Sequence, residues 1–206
     1  MKKIKMYYVD ARDGRPADVA PPRHGAVHPV EAEVDYIDRR AVPAVIYGRV
    51  EDKVKTDVPG VQVLTDQEYQ SALDGFKARE KDRAMSMIRS QRRRIADGGT
   101  LFDFEVETSL ETRTDRTTRD DVRDVKEQMA EEEISEVPWE YKPHAWATLD
   151  QEKADKLLKT IRKHRADAFS RQRQLEEDLE QAASLSEVAA VKKDVRKDWP
   201  ETLEDA

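Results

Sequence analysis

The sequence contains no cysteine, which removes disulfides, zinc–thiolate sites and thiol nucleophiles together. A reducing compartment is the expected origin. No stretch approaches the 18 or more apolar residues of a membrane span, so no membrane partner is expected. The opening Met1-Lys2-Lys3-Ile4-Lys5-Met6-Tyr7 is basic, but Asp10, Arg12 and Asp13 follow where a secretory signal would place an apolar run. Glycine is scarce, and the adjacent pair Gly98-Gly99 follows a helical pattern, whereas phosphate-cradling loops precede one. Apolar residues make up only 37% of the chain against 39% charged, so little side-chain surface is on hand to offset conformational entropy. An extended, partly partner-dependent fold is the expectation.

What the chain has in abundance is charge, and it is unevenly placed. The net charge of −7 argues against a dedicated nucleic-acid binder. Arg92-Arg93-Arg94 offers phosphate contacts, but it sits in a basic stretch, 77–94, that an acidic stretch of the same chain, 119–136, can neutralise. No nucleic-acid partner is expected.

Residues 1–64 hold Pro16, Pro21, Pro22, Pro29, Pro43 and Pro59, and proline interrupts both helices and central strands. Between them, β-branched and aromatic residues gather at 4–9, 42–50 and 61–64, predicting short strands. This portion reads as a small β-rich docking module. At Thr65-Asp66-Gln67-Glu68 the spacing is that of a capping box, opening a long connecting helix over 65–97. Its stripe is Tyr69, Leu73, Phe76, Ala84, Met87, Ile88 and Ile95, at three- and four-residue steps, until Gly98-Gly99 stops it.

A helical domain with a short hairpin is predicted for 98–198. Phe102, Phe104 and Val106 alternate with acidic residues as in a strand with one buried face. A second helix is predicted over about 116–133 on Val122, Val125 and Met129. The aromatic, proline-containing segment 137–148 reads as a loop or irregular hairpin. Thr148-Leu149-Asp150-Gln151 has capping-box spacing and opens the longest stripe: Ala154, Leu157, Leu158, Ile161, Ala168, Leu175, Leu179 and Ala182. Ser184 or Ser186 caps a last short helix on Val188, Val191 and Val195, and residues 199–206 form an acidic tail. The fold class is α+β, mainly α.

No catalytic, cofactor-binding or metal-binding residue emerges from these patterns. His24 and His28 are four apart, but a glycine and flanking prolines spoil a helical ligand pair, and no cysteine or spaced carboxylate joins them. His144 and His164 read as solvated, with no Ser or Cys in a nucleophile context beside them. The carboxylates lie in charged runs that leave them solvated, so none is marked as a general acid or base. The candidate interface or packing anchors are Tyr69, Leu73, Phe76, Trp139, Trp146, Leu158 and Ile161. For the two tryptophans, packing against the long C-terminal helix is expected ahead of partner contact.

The order of motifs over residues 78–192 is informative in itself: Gly98-Gly99-Thr100, the run 102–106, Val137-Pro138-Trp139, Ala145-Trp146-Ala147-Thr148-Leu149, His164-Arg165-Ala166-Asp167-Ala168-Phe169, and Ala182-Ala183-Ser184-Leu185-Ser186. It resembles a phage and prophage family of unknown function that occurs in tail-associated proteins. The resemblance implies a non-enzymatic structural or adaptor component of a phage tail, assembled in the host cytoplasm and retained in the virion. Its expected partners are other tail proteins: fibre, adaptor or baseplate and hub subunits. A homo-oligomer is expected, a trimer being the count that suits a fibre. The rival reading is an intracellular tail fibre assembly chaperone absent from the finished particle. No cofactor is expected.

Overall fold

The computed structural model describes residues 1–7, 9–10, 26–27, 30–38, 45–58, 60–105, 108–142 and 144–203. His24, His28, the six N-terminal prolines, Val42, Val106 and residues 204–206 of the tail lie outside them. The chain divides into two compact units, Met1–Ala78 and Arg79–Ala206. The class is α+β, mainly α.

The first unit contains β1 (Lys2–Tyr7), the short pair β2 (Val9–Asp10) and β3 (Ala26–Val27), then β4 (Glu33–Asp38), β5 (Val45–Val50) and β6 (Val61–Leu64). It also holds the first turns of α1 (Asp66–Asp97). The main sheet is antiparallel in the order β4-β5-β1-β6. Alternation along β1 sends Ile4 and Met6 to a core shared with Val30, Ile46 and Val50, while Lys3 and Lys5 face the other way. Gly48 is required by close approach: a Cβ there would lie 2.5 Å from the carbonyl oxygen of Glu33 on β4. Strand β4 was not anticipated. Glu33-Val34-Asp35-Tyr36 does alternate, but the prolines around it outweigh so short a signal.

At the head of α1 the capping box forms as the spacing predicts. Glu68 N–H donates to Thr65 Oγ1 at 3.2 Å, and Glu68 Oε2 accepts from Thr65 N–H at 2.8 Å. The pair satisfies two groups that a helix start otherwise leaves to water.

The second unit is organised on one helix. After α1 come β7 (Thr100–Glu105), β8 (Thr108–Thr112), α2 (Arg116–Glu131), β9 (Glu136–Lys142), β10 (Ala145–Asp150), α3 (Gln151–Gln181) and α4 (Leu185–Asp194). The later part of α1 runs antiparallel to α3. Lys81 Nζ donates to Glu180 O, Arg92 Nε to Gln172 Oε1, and His164 Nε2 lies 2.8 Å from Ile95 O. Further along, α2 also runs antiparallel to α3: Arg165 Nη1 donates to Thr114 O just before α2 begins, while near its end Lys126 Nζ lies 2.5 Å from Asp155 Oδ1 and Gln151 Nε2 donates to Lys126 O. Thus α3 is a spine along which α1 and α2 lie in succession, and the β7–β8 hairpin occupies the break between them.

Two main cores follow from this arrangement. Val122 and Met129 of α2 meet Phe102, Leu149, Leu157, Leu158 and Ile161. Ala84 and Ile88 of α1 meet Leu175, Leu179, Val188 and Val195. Every apolar residue assigned to the long C-terminal stripe is buried. Met87, placed on the stripe of α1, instead faces outward. The expected attraction between the basic and acidic stretches takes a different form. Arg89 pairs with Glu176 on α3 and Glu80 with Lys192 on α4, while Asp120 is met by Arg116 and Arg119 of its own helix.

Of the two readings of the segment 137–148, loop or irregular hairpin, the second holds: it is an antiparallel hairpin with one register shift, between Ala145 and Trp146. Pro138 is tolerated because β9 is hydrogen-bonded on one side only. Thr148 does not cap α3: it pairs with Pro138 inside the hairpin. The N-cap is Asp150, whose Oδ1 accepts from Lys153 N–H at 2.8 Å. A strand that runs straight to the helix leaves its last residue to do the capping. At α4 the cap is Ser184, reciprocated by Glu187.

Replacing Asp150 by alanine is expected to lower stability by about 1 kcal/mol. Thr148→Ala, exposed on the hairpin, is expected to stay within about 0.5 kcal/mol of the parent. Urea titration followed by circular dichroism separates the two, and the reverse ranking returns the cap to Thr148.

Candidate interaction surface

In the first unit, a β-bulge decides which side chains converge. Val34 pairs with Gly48 and Tyr36 with Tyr47, so the register shifts across Asp35. A bulge re-aims the residue it carries, and here the Asp35 carboxylate meets Arg49 of β5. Arg49 Nη2 and Nε donate to its two oxygens at 2.8 and 3.0 Å, and Nη2 also reaches Glu33 at 3.2 Å. The Tyr69 hydroxyl of α1 donates to the same carboxylate. Burial, reinforced by that bond to a carboxylate, raises the Tyr69 hydroxyl well above the ordinary tyrosine range.

Aromatic rings complete this face. Tyr36 stacks on Phe76 with centroids 3.9 Å apart, and Tyr47 packs edge-on to Phe76 and Tyr69 at 5.1 and 6.4 Å. Tyr69 and Phe76 are therefore internal anchors that fasten the head of α1 to the sheet, with Leu73 half-buried between them.

In the second unit, Leu158 and Ile161 are buried in the α2–α3 core. The two tryptophans part company because they lie on opposite faces of one hairpin. On β9, Val137 and Trp139 point inward and pack against that core. On β10, Leu149 is buried and Ala147 half-buried on the same side. Trp146 takes the alternate face and is 60% exposed, opposite Glu140. Packing against α3 holds for Trp139 and fails for Trp146, because the period of two puts an even and an odd position on different sides.

The hairpin that carries Trp146 is braced. Glu140 Oε1 accepts from His144 N–H at 2.8 Å, and His144 takes the left-handed conformation, φ 64°, that closes the turn. Beside it an open cleft of about 330 Å³ is lined by Arg113, Thr118, Asp121, Trp139, Glu140 and Tyr141. Among the described residues, no group of three or more His, Asp or Glu is placed to hold a metal ion, and no helix is long and apolar enough to cross a membrane.

His164 is not solvated. It is 6% exposed, with Nε2 on the carbonyl of Ile95, the last turn of α1. Arg165 beside it bonds Asp97, the Thr114 carbonyl and, at 3.3 Å, the Ala96 carbonyl. Thr114 Oγ1 donates to Ala96 O at 2.8 Å and accepts from Gly99 N–H at 3.1 Å. The signal was present: His164 lies three residues after Ile161 and four before Ala168, on the buried stripe. Asp35 and Arg49 had no such signal, since a bulge is fixed by pairing and leaves no mark in local sequence.

Residues 78–196 match a family described as a domain of unknown function, DUF4376. No curated protein and no solved structure matches the chain.

The raised Tyr69 hydroxyl makes an alkaline prediction. Above about pH 10 the unfolded chain releases the tyrosine proton while the folded chain keeps it, so the folded state binds more protons and stability falls as pH rises. The contribution is complete below pH 10 and is lost through the folded value. Tyr69→Phe is expected to flatten this decline by up to about 1.4 kcal/mol per pH unit, read from urea midpoints between pH 9 and 11. An unchanged slope would show that the hydroxyl titrates normally.

Proposed function

We propose that this chain, which belongs to the DUF4376 family of domains of unknown function, is a structural or adaptor component of a bacteriophage tail that works by protein–protein contact. The observation that carries the contact reading is Trp146, held 60% exposed on a braced hairpin while Tyr69, Phe76, Leu158 and Ile161 are buried. An indole combines a large apolar area with one donor, which is why tryptophan dominates the energetics of protein interfaces. Held exposed on an ordered strand, it offers that area to a partner with little ordering cost. The tail assignment is supported separately, by the resemblance of the motif series between Gly98 and Val188 to tail-associated phage proteins. The apolar stripes are closed within the chain, so association with fibre, adaptor or baseplate proteins, or with further copies of the chain in a homo-oligomer, falls to exposed surfaces such as the Trp146 hairpin, with the surrounding charge rejecting wrong neighbours.

Mass spectrometry of purified particles from a phage or induced prophage encoding the chain is expected to recover it in fixed stoichiometry with a tail protein. Complete absence from particles, with presence in the lysate, would replace this reading by that of an assembly chaperone. Trp146→Ala is expected to keep the parent stability within about 0.5 kcal/mol and to weaken association with the partner by about 2 kcal/mol or more. Retention of full incorporation by this variant would remove the hairpin from the interface.

A further inference from the structure

The turn joining α1 to β7 is made of two consecutive glycines, the residues with the widest backbone freedom. Gly98 N–H donates to Ile95 O at 3.2 Å, and Gly99, with φ 84°, donates to Thr114 Oγ1. Left with these two bonds alone, Gly98-Gly99 would be a hinge. It is covered instead by the chain that leaves α4.

That segment is attached at its root by α3. Arg171, its side chain only 11% exposed, donates from Nε to Lys197 O and from Nη2 to Asp194 O, and faces the Asp198 carboxylate at 3.5 Å. Its guanidinium thus takes up carbonyls at the end of α4, as basic side chains do at helix C-termini, and Asp198, at φ 58°, reverses the chain. Trp199 follows: its Nε1 donates to Val195 O at 2.6 Å and its ring packs against Ile95, Ala96 and Ala168. Thr202 is 3% exposed.

The segment then meets the glycines directly. A Cβ on Gly98 would lie 3.4 Å from Thr202 Cγ2, and a Cβ on Gly99 would lie 2.6 Å from Leu203 Cδ1. Leu203 therefore occupies space that any side chain at position 99 would take. The missing Cβ serves the left-handed turn and the seating of the segment at once.

We infer that residues 199–203 form a strap that locks the Gly98-Gly99 hinge, adding to the hold that His164, Arg165 and Thr114 have on this junction, so that the β7–β8 hairpin and the start of α2 open from α3 more readily once the strap is released. The strap begins beyond the matched family region, which ends at residue 196. Its release uncovers Ile95, Ala96 and Ala168 and frees the turn. The inference does not depend on the tail assignment.

Hydrogen–deuterium exchange of the full chain, of the chain ended after Arg196, and of Leu203→Ala tests it. Amides of residues 99–102 and 112–115 are expected to exchange at least ten-fold faster in the shortened chain and to a lesser degree in Leu203→Ala, with the centre of α3 unchanged. Unchanged exchange at the junction overturns the lock. Equal acceleration throughout residues 79–196 also overturns it, by making the segment part of the folding core. A cycle with Gly99→Ala adds an independent readout. Backbone strain and the Thr112 carbonyl, 2.7 Å from the new Cβ, oppose Gly99→Ala in both backgrounds, so the excess penalty in the full chain over the shortened one measures the clash with the strap. Equal penalties overturn the seating of Leu203 on Gly99.

Discussion

A helix ends in carbonyls it cannot satisfy, and the second unit is organised around the place where α3 satisfies those of α1. Ile95 and Ala96 present their oxygens to His164, Arg165 and Thr114, and a buried carbonyl without a donor costs on the order of 1–3 kcal/mol. Because the donors come from the middle of α3 and from the residue pair before α2, one cluster fixes three things. It sets where α1 stops, the direction in which the chain enters β7, and the point on α3 from which α2 departs. The succession of α1 and α2 along a single spine is the geometric result.

The charges that fill the sequence serve this arrangement mostly as guides. Pairs such as Arg89–Glu176 and Lys156–Glu152 are exposed and contribute little net stability. The pairs that run between helices, such as Arg89–Glu176, disfavour displaced pairings of helices whose apolar stripes are narrow. Asp35 and Arg49 differ because geometry improves the exchange. A two-pronged contact between guanidinium and carboxylate, with the Tyr69 hydroxyl added, joins β4, β5 and α1 at one point. Fastening the helix head to the sheet is therefore a matter of one bulge and one aromatic cluster, without a large core.

What could be read from the sequence was whatever is decided within a turn or two of chain. The box at Thr65, a serine cap at 184 or 186, the stop at Gly98-Gly99 and the long stripe from Ala154 to Ala182 all have local causes, and all were legible; the choice of Ser184, with Glu187 reciprocating, came from the structure. Thr148 misled because its spacing to Gln151 mimics a box, whereas strand pairing with Pro138 had already claimed it. His164 was misjudged by its chemistry, although its position on the stripe marked it as facing inward. Only the arrival of α1 opposite it supplied the carbonyl that makes its burial tolerable. The contrast between Trp139 and Trp146 was latent in their odd and even numbering, but required knowing that 137–148 is a strand pair. The bulge at Asp35 had no local cause at all.

Asp150 is the last residue of β10 and also the cap of α3, so no slack separates the hairpin from the spine. A force applied at Trp146 crosses four residues of extended strand and reaches the helix axis without passing through a compliant loop. The hairpin is in that sense a lever rigidly fixed to a shaft. A load on its tip therefore falls first on the opening turns of a 31-residue helix, at the very place where α2 and Phe102 are packed against it.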